Sequence, residues 1–321
     1  MSHSHVKNAL YCGDNLEVLR RHIRPGSVDV AYIDPPFHSG RNYGAAFEDR
    51  WRWDPRAAEG YDAILTAPKL GGLIEGLAPV VGRGSLMAYL VHTGLRIAEL
   101  ERVLKPTGSL FVHCDPSASH YLKLMLDAVF SARGGGFRNE IVWCYSHGGR
   151  SKRWFGRKHD IIFFYSKSAQ YHFDARAVRV AMRSGKDSFG GRMETDPDGR
   201  KYRLVYGTRN GRGETRYYKY YLDEGKIPED WWVDINSLQA SSAERVGYPT
   251  QKPEALVERI ILACSREGDT VLDAYCGSGT TLVAAERNGR SWIGIDISQK
   301  AVELARRRVE QVAGRKYEIG D

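Results

Sequence analysis

"TVLDAYCGSGTT", residues 270–281, decides how this chain is read. An apolar run ends at Asp273. Gly277 and Gly279 follow, and a helical pattern starts near Leu282. A strand, a glycine turn and a helix in that order let the backbone approach a ligand closely, with helix N–H groups facing it. Asp296 closes the next strand-like run, "SWIGIDIS". It falls about 20 residues after the glycines, the spacing at which an acid bonds ribose hydroxyls in nucleotide-binding units. The dinucleotide fingerprint wants a third glycine, and Leu282 stands at that position. The pattern therefore suits a ligand with a ribose and no pyrophosphate. Taken alone, a GxG is equally a strand-to-helix turn without a ligand. Asp273, the glycines and Asp296 together weigh against that reading.

Upstream, "GYPTQKPEAL" (247–256) sets Thr250 and Lys252 in a proline-flanked segment before a helical pattern. It reads either as an ordinary helix entry with Pro253 at its first position, or as a lysine placed to hold a carboxylate. Far upstream, "VAYIDPPFHSG" (30–40) ends an apolar run abruptly with an acid, two prolines and an aromatic. Proline lacks the N–H that a central strand needs. On its own this is a strand stopped by prolines, with Asp34 solvated.

The 321 residues, 42% of them hydrophobic, suffice for one large domain or a domain with an insertion. "NALYCGD", "VDVAYID", "SLFVHCD", "EIVWCYS" and "HDIIFFYS" read as strands. "NLEVLRRHI", Ser85 to Leu104 and "SASHYLKLMLDAVF" read as helices. This predicts an α/β fold with a mostly parallel sheet. Between Tyr171 and Tyr221 the texture changes: 12 Lys and Arg stand against 6 Asp and Glu, tyrosines cluster and large aliphatics are sparse. The α/β pattern returns with "EALVERIILACS" and closes with "QKAVELARRRVEQV". The expected division is 1–170, an insert at 171–247, and 248–321 completing the first part. A net charge of +8 points to an anionic partner, most often nucleic acid or an anionic membrane surface. No apolar run approaches a membrane span, and "MSHSHVKNAL" lacks the apolar core of a signal peptide. Five widely spaced cysteines, with no CxxC pair, read as reduced thiols of a cytoplasmic protein without a metal site.

"DPPF", "YPTQKP" and "DAYCGSGTT", in this order, resemble the β-class amino-methylating DNA methyltransferases. The resemblance runs from "YCGD" to "GIDIS" and leaves only the insert unmatched. It implies a circularly permuted Rossmann-like, S-adenosylmethionine-dependent fold. Helices would cover both faces of the sheet, and the insert would be a basic, irregular target-recognition segment. It assigns Asp34, Pro35, Pro36 and Phe37 to catalysis, and Asp273, Cys276, Gly277, Gly279 and Thr280 to the cofactor loop. Asp296 falls to the ribose, Asp14 to the adenine end of the cofactor, and Thr250 and Lys252 to its methionine end. Tyr275-Cys276 stands where Phe-Ala is commoner in such enzymes. Double-stranded DNA is the implied partner; a homodimer and a cognate restriction endonuclease are compatible with the likeness.

The abrupt strand end then acquires a chemical purpose. The lone pair of an exocyclic base amine is delocalised into the ring. Acceptors for both its hydrogens, the Asp34 carboxylate and the Pro35 carbonyl, favour a tetrahedral nitrogen with an exposed lone pair. The prolines restrict the backbone and so preorganise both acceptors. Phe37 offers a face for a flipped base, and "HSGRNYGAAF" (38–47) could close over it. In the insert, Arg203, Arg209, Arg212 and Arg216 are candidates for DNA contact. "GGRSKRWFGRK" (148–158) is a second basic stretch, read as a backbone contact or a loop ordered on binding. Asp34 at the first position of the tetrapeptide resembles the adenine enzymes, serine most cytosine enzymes, so N6 of adenine is the expected target. N4-cytosine methylation, RNA adenine methylation and a catalytically silent nucleic-acid-binding subunit are the alternatives. Attack at ring carbon 5 needs a cysteine following a proline, and none occurs.

Overall fold

The computed structural model describes residues 8–38, 40, 51–132, 134–146, 152–181, 192–209 and 215–320. The chain divides into two compact units, one of residues 1–173 with 230–321 and one of Asp174–Glu229.

The first unit opens with β1 (Ala9–Cys12), α1 (Asn15–His22) and β2 (Val28–Ile33), followed by α2 (Pro55–Leu65), α3 (Gly71–Val81) and α4 (Ser85–Val103). Then come β3 (Leu104–Cys114), α5 (Ser119–Phe130), β4 (Gly134–Cys144) and β5 (His159–Ser168). The second unit contains β6 (Arg192–Thr195), β7 (Lys201–Arg209) and β8 (Thr215–Tyr221). The chain returns through β9 (Trp231–Trp232), α6 (Glu254–Cys264) and β10 (Thr270–Asp273) to α7 (Thr280–Arg287), β11 (Ser291–Asp296), α8 (Gln299–Ala313) and β12 (Ile319–Gly320).

Among the described residues the main sheet runs β12-β1-β11-β10-β2-β3-β5-β4-β9. Every neighbouring pair from β12 to β3 is parallel, β5 is antiparallel to both β3 and β4, and β9 is parallel to β4. The C-terminal strands β10 and β11 thus insert between β1 and β2. From β2 the chain steps one way along the sheet to β3; from β10 it steps the other way to β11. The crevice beyond the C-terminal ends of β10 and β2 is the topological switch point, where open α/β sheets bind ligands.

Both faces of β2 are apolar because both are covered. Ala31, Ile33, Leu110, Val112, Leu272 and Ile295 pack with the buried faces of α1 to α5 in one apolar cluster. On the opposite face α7 lies close to the sheet. A Cβ on Gly294 would come within 2.5 Å of the Leu282 side chain. In dinucleotide folds a helix glycine permits this approach; here the strand supplies the glycine and the helix keeps its leucine.

Proline and glycine shape the middle of the first unit. α2 begins at Pro55, capped by Asp54, whose side chain accepts from Ala57 N–H. In α3, a Cβ at Gly71 would meet the Leu65 carbonyl at 2.2 Å, so only glycine fits there.

The second unit has turn-rich loops and a three-stranded antiparallel sheet, β6-β7-β8. Tyrosines substitute for aliphatic packing on one of its faces. Tyr202 opposes Tyr221 and Tyr206 opposes Tyr217, with ring centroids 5.5 and 5.1 Å apart. Lys219 and Arg200 lie 4.5 and 4.0 Å from the centroids of Tyr202 and Tyr221. Cross-strand aromatic pairs and cation–π contacts hold a small sheet that has little apolar interior.

Candidate active site

Because β10 pairs with β2, with Val271 opposite Val30 and Leu272 opposite Ala31, the glycine turn and the "DPPF" corner leave the sheet side by side. They line one cavity of about 280 Å3. Asp34, Pro35, Pro36, Phe37, Asp14, Thr250, Lys252, Asp273, Cys276, Gly277, Thr280 and Asp296 all reach it. Gly279 is the one cofactor-loop residue of the sequence reading that is not among its lining residues. With φ of +78°, it caps the start of α7, and a Cβ there would lie 2.9 Å from the Ala305 Cα of α8. Its role is close helix packing. Gly277, with φ of +49°, faces the cavity, and a Cβ there would meet the Tyr248 ring at 3.1 Å.

The glycine turn is held by two carboxylates. Asp296 accepts from the N–H groups of Gly277 and Ser298, each at 2.9 Å. Burial pushes its carboxyl up, and these two N–H groups partly offset the rise. Asp273 accepts from the Thr281 hydroxyl and from Tyr275 N–H. Burial pushes it up to about 7. Asp14 caps α1 by accepting from Leu16 N–H at 2.8 Å. Both its oxygens accept from Arg96, at 2.9 and 3.0 Å. Asn15 donates to the Ala274 carbonyl at 2.7 Å and accepts from Arg96, tying α1 and α4 to the glycine turn.

This end of the cavity fits a nucleoside without phosphate. It offers an acid on a strand end where ribose hydroxyls need an acceptor, and a glycine where a side chain would fill the space. Among the described residues Arg96 is the one arginine lining the cavity, and it is already engaged by Asp14 and Asn15. The residues therefore suit S-adenosylmethionine: Asp296 for the ribose, Gly277 and Cys276 for the turn beside it. Among the described residues, no cluster of three His, Cys, Asp or Glu side chains could hold a metal ion.

At the other end, Asp34 forms a part-buried ion pair with Lys252. The Phe37 ring lies against His113, with centroids 5.8 Å apart. His113 is itself fully buried. Its Nε2 is 3.2 Å from the Asp160 carboxylate and its Nδ1 2.8 Å from the Tyr32 hydroxyl. A carboxylate only accepts, so Nε2 donates to Asp160. Burial pushes the Asp160 carboxyl up, but the bond and charge of His113, the charge of Lys252 and a bond from Tyr145 outweigh it and hold the group below its usual range. The wall behind Phe37 is thus a fixed polar network.

Sequence reasoning missed the contribution of α4. His92 and Arg96, one turn apart, project from this largely buried helix into the cavity. Burial and the Arg96 charge push the His92 imidazole well below its usual range. Its Nε2 lies 3.1 Å from the Tyr275 hydroxyl and its ring 4.8 Å from Trp51. Trp51 in turn donates to the Phe37 carbonyl at 3.2 Å. Two basic residues at i and i+4 amid "LVHTGLRIAEL" were the available signal. In the second unit, strand alternation places Arg203 and Arg216 on one face with Tyr218 and Tyr220. Arg212 and the side chain of Arg209 lie outside the described residues, as do most of the 38–47 loop and 148–151 of the second basic stretch.

Comparison with known proteins identifies the family. The family profile described as DNA methylase, of the N6/N4 type, matches residues 28–307. The chain is 29% identical over 300 residues to the DNA adenine methyltransferase YhdJ of Escherichia coli, covering 93% of this chain and 81% of that protein. Among solved structures, a DNA modification methylase from Thermus thermophilus complexed with S-adenosylmethionine superposes with a TM-score of 0.55 at 20% identity, covering 98% of this chain and all of that one. The cytosine-N4-specific PvuII DNA methyltransferase gives 0.55 at 16% identity, covering 94% and 86%. These two likenesses bear on the fold. With 28–307 matched by that family profile, the chain belongs to the S-adenosylmethionine-dependent N6/N4 amino-methylating DNA methylases.

Proposed function

We propose that the protein methylates the N6 amino group of adenine at a specific sequence in double-stranded DNA, acting on a base flipped out of the helix. The observation that carries this reading is the shared cavity, which holds the Asp34 corner and the Asp296–Gly277 turn together. The bound cofactor supplies an electrophilic methyl on a sulfonium. The chain's own residues do the rest. The flipped base stacks on Phe37, which His113 backs. Asp34 and the Pro35 carbonyl accept the two amine hydrogens and direct the lone pair toward the methyl group. As the methyl leaves sulfur for nitrogen, Asp34 stabilises the positive charge that develops on the amine and accepts the proton it loses, in a site already preorganised.

Adenine is favoured by the carboxylate of Asp34 at the head of the tetrapeptide, and by likeness to an adenine methyltransferase over most of the chain. The PvuII enzyme shares the fold and acts on cytosine, so the fold alone does not choose the base. The unit Asp174–Glu229 is assigned to target recognition, supported by its basic surplus and by Arg203 and Arg216 on one tyrosine-rich face. Nucleoside mass spectrometry of genomic DNA from cells expressing the protein tests the target. N6-methyladenine is expected; label on N4 of cytosine alone would overturn the assignment and leave the role of Asp34 intact.

A further inference from the structure

Lys252 occupies both features that the target base would use. Its ammonium is bonded to Asp34 Oδ2 and lies 5.2 Å from the centroid of the Phe37 ring. Both side chains of the pair are largely buried, with 13% and 16% exposure. A tetrahedral, positively charged nitrogen on a carboxylate and against an aromatic face has the charge and shape of the amine at the moment of transfer. While Lys252 stays there, an incoming amine meets an acceptor that is already taken.

A part-buried ammonium gives up its carboxylate readily only for another anion, because leaving a buried charge unpaired is strongly unfavourable. The reaction brings one such anion into the cavity, the carboxylate of the cofactor's methionine moiety. Lys252 sits two residues from Thr250 on a segment between Pro249 and Pro253 that lines the same cavity. We propose that Lys252 is a positioning residue with two stations. It is paired with Asp34 before the cofactor binds and with the cofactor's carboxylate afterwards, so that Asp34 becomes available to the base only in the loaded enzyme. This rests on the reading of Asp34 as the acceptor of the target amine and deepens it: cofactor binding precedes productive base binding.

Titration calorimetry on the full chain tests the exchange without DNA or turnover. S-adenosylhomocysteine carries the carboxylate and no sulfonium charge; its decarboxylated amine analogue is the control. Breaking the Lys252–Asp34 pair is a cost of binding the first ligand only. Asp34→Asn should therefore tighten S-adenosylhomocysteine by about tenfold, as expected for releasing a charge-assisted bond, and leave the analogue unchanged. Asp34→Ala should act the same way. Lys252→Gln should weaken S-adenosylhomocysteine and erase the gain from Asp34→Asn in the double variant. Unchanged or weaker S-adenosylhomocysteine binding by both Asp34 variants would overturn the proposal. So would equal tightening of both ligands, which would mean a general charge effect. Failure of the unaltered protein to bind S-adenosylhomocysteine at all would overturn the cofactor site itself, and the proposal with it.

Discussion

Two hydrogen-bonded parallel strands, β2 and β10, each lead into an aspartate at the same edge of the sheet, and the two carboxylates have opposite fates. Asp34 faces the cavity and is matched by a full positive charge on Lys252. Asp273 is 3% exposed, has among the described residues the neutral donors Thr281 hydroxyl and Tyr275 N–H, and is pushed up to about 7 by burial. The residue type and the strand end are the same; the partners differ. A carboxylate that faces the cavity beside a cationic partner is placed for chemistry. One kept close to neutral by burial is a clamp for the turn that follows it. Asp296, at the end of β11, is intermediate: it is raised by burial but held by two backbone N–H groups, and it faces the cavity.

Removing each carboxylate should therefore break a different property. The largest effect is expected at Asp34. Asp34→Ala should lower kcat for methyl transfer by roughly 10²- to 10³-fold, the usual loss when one preorganised electrostatic partner of a transition state is deleted. Cofactor affinity should not fall. Asp34→Asn keeps an acceptor and loses the charge, so its loss should be smaller. Single-turnover methylation with labelled S-adenosylmethionine measures both; activity of Asp34→Ala within a few-fold of the parent would exclude the role.

Asp296→Ala should act on binding. Loss of hydrogen bonds from a charged acceptor weakens affinity by roughly 10- to 100-fold, and the freed Gly277 N–H loosens the turn as well. Calorimetry with S-adenosylhomocysteine reads this directly. An unchanged Kd would remove Asp296 from the ribose site.

Much of this site was legible in sequence, because its two corners are written in residues with few alternative uses. "DPPF" forbids strand continuation, and the glycines of "CGSGTT" demand a turn. What escaped was whatever depends on distance in space. Lys252 and Asp34 are 218 residues apart, and no local pattern links them. Arg96 reads as one more polar residue in an amphipathic helix until Asp14 is seen beside it. α2 and α3 were not read because Pro55, Gly60, Gly71 and Pro79 dilute the helical signal; Pro55 in fact starts one helix, and close packing requires Gly71. The sheet of Asp174–Glu229 was hidden for a related reason. Its cross-strand contacts are tyrosine pairs, and its sequence is dominated by turns.

The sharpest discrimination between the two strand ends concerns Asp273 and pH. In the unfolded chain an aspartate titrates near 4; in the folded protein Asp273 titrates at about 7. Between these values the folded state holds a proton that the unfolded state has lost. The stabilisation from neutral Asp273 is thus complete below about pH 4 and is lost as pH rises toward 7, beyond which the curve is flat. Asp273→Asn stays neutral throughout and cannot follow this decline. Relative to the variant, the parent should lose about 2 kcal/mol between pH 5.5 and pH 8. Asp34→Asn should not reproduce this divergence, but it should lower the Asp273 pKa slightly, because the Asp34 charge is one of the influences raising it. Chemical denaturation of the three proteins across this range decides the matter. Parallel stability curves for the parent and Asp273→Asn would mean that Asp273 is ionised in the folded protein, and the contrast between the two strand ends would then have to be sought in geometry alone.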